Sequence, residues 1–154
     1  FPRRRRHPRF GFKSRGLGDV YKRQVTSYTE LRREALNIER RNLLHPEEKA
    51  QQSYLTKIMS PERGPIIAAS DYMKVHADQV RAYLPQKYYV LGTDGFGRSD
   101  SRAKLREFFE VNRYYICLTA LKALADEGSL SPQVVAKAMK QFNIDPEKPD
   151  PLTV

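Results

Sequence analysis

Between Leu91 and Arg102 the chain reads LGTDGFGRSDSR, with three glycines, two aspartates, two arginines and two serines in twelve residues. Each type offers a distinct chemistry. Glycine tolerates positive φ, aspartate and serine cap helices, and arginine reaches a phosphate or a carboxylate. Glycines between the carboxyl end of a strand and the start of a helix also make an anion cradle. The spacing argues against a cradle here. Gly92, Gly95 and Gly97 give GxxGxG rather than GxGxxG, no GK[ST] follows, and Asp94 and Asp100 would repel a phosphate. Two readings remain. In one, the glycines make turns and Ser99, Asp100 or Ser101 caps the next helix. In the other, the loop is an interface whose candidate residues are Asp94, Gly95, Phe96, Gly97, Arg98, Ser99, Asp100 and Arg102, with the two arginines as its contacts.

Other reactive side chains lack partners at working distances in sequence. His45 and His76 have no second ligand at a metal spacing, so they read as surface or packing residues. No serine lies in a GxSxG elbow, and Cys117, inside the apolar run YYICLTAL, is expected to be buried and inert. A single cysteine forms no internal disulfide, which suits a reducing cytoplasm.

The elements that must position the loop follow from periodicity and punctuation. Ser27 and Glu30 form a capping-box pattern before a helix over about 29–44, with Leu31, Ala35, Ile38 and Asn42 on one face. His45-Pro46 ends it, and a short helix follows over 53–59. Val25 and Thr26 read as the end of a strand. IIAAS, 66–70, reads as a strand covered on both faces, and Ser70 as the cap of a helix over 71–84 with Met73, Ala77, Val80 and Leu84 on one stripe. Strand 88–92 then completes a strand, helix, strand unit, predicting a parallel pair with a right-handed crossover.

Beyond the loop, AKLREFFEV begins another helical stretch, and the helix NRYYICLTALKALADEG is apolar nearly all round and therefore predicted buried. Gly128 is its left-handed cap, Ser131-Pro132 opens the last helix, and Pro146, Pro149 and Pro151 are expected to hold the tail extended. The fold class is α/β, an open, mostly parallel sheet with helices on both faces.

The 154 residues suit one domain, and no apolar run approaches the roughly 20 residues of a membrane span, so the chain is expected to be soluble and unsecreted. The net charge of +10 would suggest nucleic acid as a partner, but its distribution removes that suggestion. Residues 1–24 hold nine of the 28 Lys and Arg against one of the 18 Asp and Glu, leaving +2 over the rest. Residues 14–24, SRGLGDVYKRQ, resemble the translation of a transposase-type sequencing adapter, whose end GATGTGTATAAGAGACAG reads as Asp19 to Gln24 in one frame. Residues 1–24 are therefore expected to be a non-native or disordered basic segment, and 25–154 the folded part.

In order along the chain, VTSYTEL, RRNLLHP, ASDYMK, LGTDGFGRSDSR, LREFFEV and QFNID closely resemble the carboxyl-terminal domain of the homodimeric pyruvate dehydrogenase family. These are thiamine diphosphate-dependent decarboxylases related to transketolase. The resemblance covers Val25 to about Asp145 and rests most specifically on GTDGFGRSDSR. It implies a dimer-building domain in an enzyme that decarboxylates pyruvate and passes the acetyl group to the lipoyl group of dihydrolipoyl acetyltransferase. It also implies a domain truncated here, without its first strand and helix.

In the family, thiamine diphosphate and Mg²⁺ are held by a GDG motif and residues of other domains. Gly18-Asp19 is followed by Val20, so no catalytic, cofactor-binding or metal residue carries over to this sequence. The chain alone is expected to be inactive. The resemblance leaves open a related 2-oxoacid dehydrogenase or transketolase-type enzyme. A small α/β binding module with a basic nucleic-acid arm is the remaining alternative.

Overall fold

The computed structural model describes residues 21–154, and the basic run 1–13 and adapter-like residues 14–20 lie outside it. Its elements in chain order are α1 (Tyr28–Leu44), α2 (Tyr54–Met59), β1 (Ile66–Ala69), α3 (Lys74–Asp78), a 3₁₀ turn (Arg81–Tyr83), β2 (Tyr88–Leu91), α4 (Arg102–Phe108), α5 (Arg113–Asp126) and α6 (Pro132–Gln141). β1 and β2 pair in parallel, Ile66 opposite Tyr88 through Ala69 opposite Leu91. The α/β class and the parallel pair agree with the sequence. Among the described residues the sheet has these two strands only, and Val25 and Thr26 are exposed and belong to no strand.

Local chemistry explains most boundaries. The Ser27 hydroxyl accepts from the Glu30 N–H at 3.2 Å and starts α1, which ends at His45, before Pro46. Ala35 is buried on the expected face. From the same helix, Asn42 donates to the Gln51 carbonyl at 2.8 Å and accepts from the Gln51 N–H at 2.9 Å, pinning the connection to α2. The Glu34 carboxylate accepts from the Tyr54 N–H, and Ser53 accepts from the Thr56 N–H, so the first turn of α2 is capped twice.

The core under the sheet is built on Leu55, Val80 and Tyr88, with Tyr28, Leu31, Ile66, Ala68 and Val90 packed against it. The Tyr88 hydroxyl donates to the Ala77 carbonyl at 3.0 Å, and burial pushes its pKa well above the ordinary phenol value, with Tyr28 adding to the rise. Burial likewise raises Tyr115 and Tyr83, the latter helped by Glu39, to which its hydroxyl donates. A folded-state pKa above the unfolded one gives stability that is whole below the unfolded value and lost as pH rises. Urea midpoints are therefore expected to fall steeply once pH exceeds about 10. Tyr88→Phe is expected to cost about 1 kcal/mol at neutral pH and to flatten that fall.

Five expectations are corrected. The helix predicted over 71–84 is reduced to five residues and a 3₁₀ turn, because hydrogen bonds from a distant loop hold residues 71–73 outside the helix. Ser70 does not cap it: its hydroxyl accepts from the Tyr72 N–H at 3.1 Å, short of α3. The faces of β1 and α5 are also less covered than their apolar sequences predict. An open cleft of about 2810 Å³, lined by residues 21–28, β1, the end of α4 and α5, lies beside them. In α5 only Ala123 is buried, and Cys117 is exposed rather than buried. The proline-rich tail does not run extended but forms turns at 146–147 and 151–153.

Helix ends past the loop follow the cap chemistry. α4, α5 and α6 end at left-handed residues Glu110 (φ 61°), Gly128 (φ 76°) and Asn143 (φ 54°). At each, the next residue's N–H returns five residues, from Val111 to Arg106, Ser129 to Leu124 and Ile144 to Met139. Ser131 caps α6. No helix among the described residues is long and apolar enough to cross a membrane.

Candidate functional site

The parallel pairing delivers the 92–101 loop to the carboxyl end of β2, beside the residues that follow β1. The Ser70 N–H donates to the Leu91 carbonyl at 3.0 Å, extending the pairing past β1. Gly92 is buried against the next segment: a Cβ there would lie 2.7 Å from both the Lys74 nitrogen and the Tyr72 oxygen. The Thr93 N–H donates to the Tyr72 carbonyl at 3.0 Å and its hydroxyl to the Asp71 carbonyl at 2.8 Å.

Asp94 makes a structural contact that neither reading named. Its carboxylate accepts from the Lys74 N–H at 2.9 Å, at the start of α3, whose own N-cap, Met73, has no side-chain acceptor. The Lys74 ammonium stands 3.9 Å from the other carboxylate oxygen. The aspartate thus stabilises the first turn of a helix 20 positions earlier, through a hydrogen bond and the favourable sign of its charge.

Gly95 turns the chain at φ +110° and lies against the tail, where a Cβ would meet the Pro151 oxygen at 2.3 Å. Phe96 and Gly97 are exposed, Phe96 to 75%. The Arg98 guanidinium lies over the Phe108 ring, 4.1 Å from its centroid, so this arginine stacks within its own chain. Ser101 is the cap of α4, accepting from the Lys104 N–H at 3.5 Å, and Asp100 accepts from the Ser101 N–H at 2.6 Å. Ser99 is exposed. Arg102, the first residue of α4, is also exposed and makes no ion pair or hydrogen bond among the described residues.

The turn-and-cap reading of this loop describes its contacts within the chain. Residues 92–94, 98 and 101 do structural work, while Phe96 and Arg102 face outward. The segment that the loop grips carries Tyr72, Met73 and Val75, exposed to 70%, 53% and 61%. The sequence held no signal for this long-range cap, since Ser70 offered a local one.

The site does not suit an activated nucleophile or a held cofactor. His76 packs edge-on against the Tyr72 ring, His45 stands 3.5 Å from the Glu48 carboxylate, and Cys117 is an exposed free cysteine in α5. Among the described residues no group of three or more His, Cys, Asp or Glu side chains could hold a metal ion. The Asp94 carboxylate occupies the start of α3, and Ser101 caps the start of α4.

These elements make an α/β domain with a parallel strand pair and the loop at its carboxyl end. A family model described as the transketolase-like TK C-terminal domain matches residues 20–112, and the chain belongs to that family. Relatives carry the name pyruvate dehydrogenase E1 component. One, from Cupriavidus necator, is 55% identical over 128 residues, 83% of this chain and 14% of the relative. Another, from Pseudomonas aeruginosa, is 55% identical over 139 residues, 89% of this chain and 16% of the relative. That of Escherichia coli K12 is 49% identical over 141 residues, 90% and 15% respectively. The chain spans about one seventh of the length of these relatives.

Proposed function

We propose that residues 25–154 act as the carboxyl-terminal, dimer-building domain of a homodimeric pyruvate dehydrogenase E1-type enzyme. The observation that carries this reading is the 49–55% identity to proteins of that name across most of the chain. In this reading thiamine diphosphate and Mg²⁺ are bound by other domains, where pyruvate is decarboxylated. The acetyl group then passes to the lipoyl group of dihydrolipoyl acetyltransferase, in the cytoplasm.

The loop's role in such an enzyme is to meet the second subunit. Three observations support it. Phe96 is exposed at the tip of a loop that is otherwise tied down, an arrangement typical of a preorganised aromatic anchor. Tyr72, Met73 and Val75 extend the apolar surface beside it. Arg102 places an unpaired cation at the positive end of α4, which has no acidic residue in its first turn, so a carboxylate from outside the chain would complement it.

The test uses a chimera in which residues 25–154 replace the aligned segment of the Escherichia coli relative. Light scattering is expected to give a dimer mass, and Phe96→Ser is expected to shift the mass toward monomer at micromolar protein. An unchanged dimer in the Phe96→Ser chimera would remove the loop from the interface.

A further inference from the structure

The contacts between the loop and the last ten residues form a second system, independent of any outside partner. Lys148 is its centre. Its ammonium donates to the Phe108 carbonyl at 2.7 Å, the Glu107 carbonyl at 3.2 Å and the Glu110 carboxylate at 3.0 Å. The Phe108 and Glu107 carbonyls lie in the last turn of α4, and Glu110 is the left-handed residue that follows it. The same ammonium lies over the Phe108 ring at 5.6 Å and the Tyr115 ring at 5.4 Å. Arg98, from the loop, stacks over that Phe108 ring as well.

The tail and the loop therefore share one aromatic ring, and they also meet directly. From Lys148 the chain turns through Asp150, whose carboxylate accepts from the Leu152 N–H at 3.0 Å and whose carbonyl accepts from the Thr153 N–H at 2.9 Å. That turn buries Pro151 and sets its carbonyl where only a residue without a Cβ can stand, at Gly95. The neighbour of Gly95 is Asp94, the cap of α3.

We infer that residues 145–154 are a strap that sets the shape of the 92–101 loop, with Lys148 as the positioning residue that ties the strap to α4. Loss of the Lys148 ammonium frees the tail from α4. Pro151 then no longer backs Gly95, and Asp94 leaves the start of α3. All of these contacts lie within one chain, so the strap can be tested apart from the dimer proposed above.

The experiment is hydrogen exchange on the full chain carrying Lys148→Met. Exchange of the Thr93 and Lys74 amides, which bond to the Tyr72 carbonyl and the Asp94 carboxylate, is expected to quicken about tenfold, the scale of one lost charge-assisted hydrogen bond. Lys148→Arg is expected to restore most of the protection. Faster exchange confined to Glu110 and Val111 would mean that Lys148 only caps α4, and would overturn the inference. Should Lys148→Met fail to fold, Gly95→Ala reads the same coupling from the loop side. It is expected to quicken exchange at Leu152 and Thr153, and unchanged exchange there would overturn the inference.

Discussion

Gly92→Ala is expected to lower the unfolding free energy by about 3 kcal/mol, read as a drop in the urea midpoint at unchanged slope. The added Cβ would stand 2.7 Å from the Lys74 nitrogen and 2.7 Å from the Tyr72 oxygen. Both are backbone atoms, and both are held: the Lys74 N–H by Asp94, the Tyr72 carbonyl by Thr93. Room for a methyl opens only if β2 and the start of α3 separate, which breaks both hydrogen bonds. Gly97→Ala is the control, because nothing lies within 4 Å of its Cβ position. It is expected to change stability by less than about 0.5 kcal/mol. Equal effects at the two glycines would mean that loop entropy, not the close backbone approach, sets the requirement for glycine.

Leu55→Ala is expected to cost about 3 kcal/mol, as for other leucines truncated in cores. Leu55 is 8% exposed and, with Val80 and Tyr88, joins α2 to the sheet and to the turn after α3. These side chains belong to different elements and cannot close the gap without moving α2. That helix is tied by Thr56, whose hydroxyl donates to the Tyr83 carbonyl at 2.8 Å. With total stabilities of small domains near 5–15 kcal/mol, a loss of this size is expected to show in thermal melts as a marked fall in Tm. Leu43→Ala, at a leucine exposed to 77%, is the comparison and is expected to be nearly neutral.

The parts of the fold legible in the sequence are those decided within a few residues. Ser27, Ser101 and Ser131 cap the helices that follow them, and Gly128 adopts the left-handed conformation. The apolar runs 66–69 and 88–91 pair in parallel, as their separation by a helical stretch requires. What was not legible depends on distant groups. The stripe Met73, Ala77, Val80, Leu84 carries a helical period, yet the loop's hydrogen bonds to Tyr72 and Lys74 outweigh it and cut the helix to five residues.

The loop itself was partly legible. Ser101, one of three candidates, caps α4. Periodicity could not show that Asp94 serves α3, that Gly95 yields to Pro151 or that Arg98 spends its charge on Phe108, because each partner lies at least ten residues away. Cys117 shows the opposite error. An apolar neighbourhood in sequence implied burial, and the open cleft beside α5 leaves its faces only partly covered.

The most direct test of the proposed function is pyruvate turnover by the full-length chimera carrying residues 25–154 in the Escherichia coli relative. A scaffold domain of the right family is expected to leave turnover of the same order as in the parent enzyme, with the isolated chain inactive. A folded, dimeric chimera without turnover would contradict the assignment.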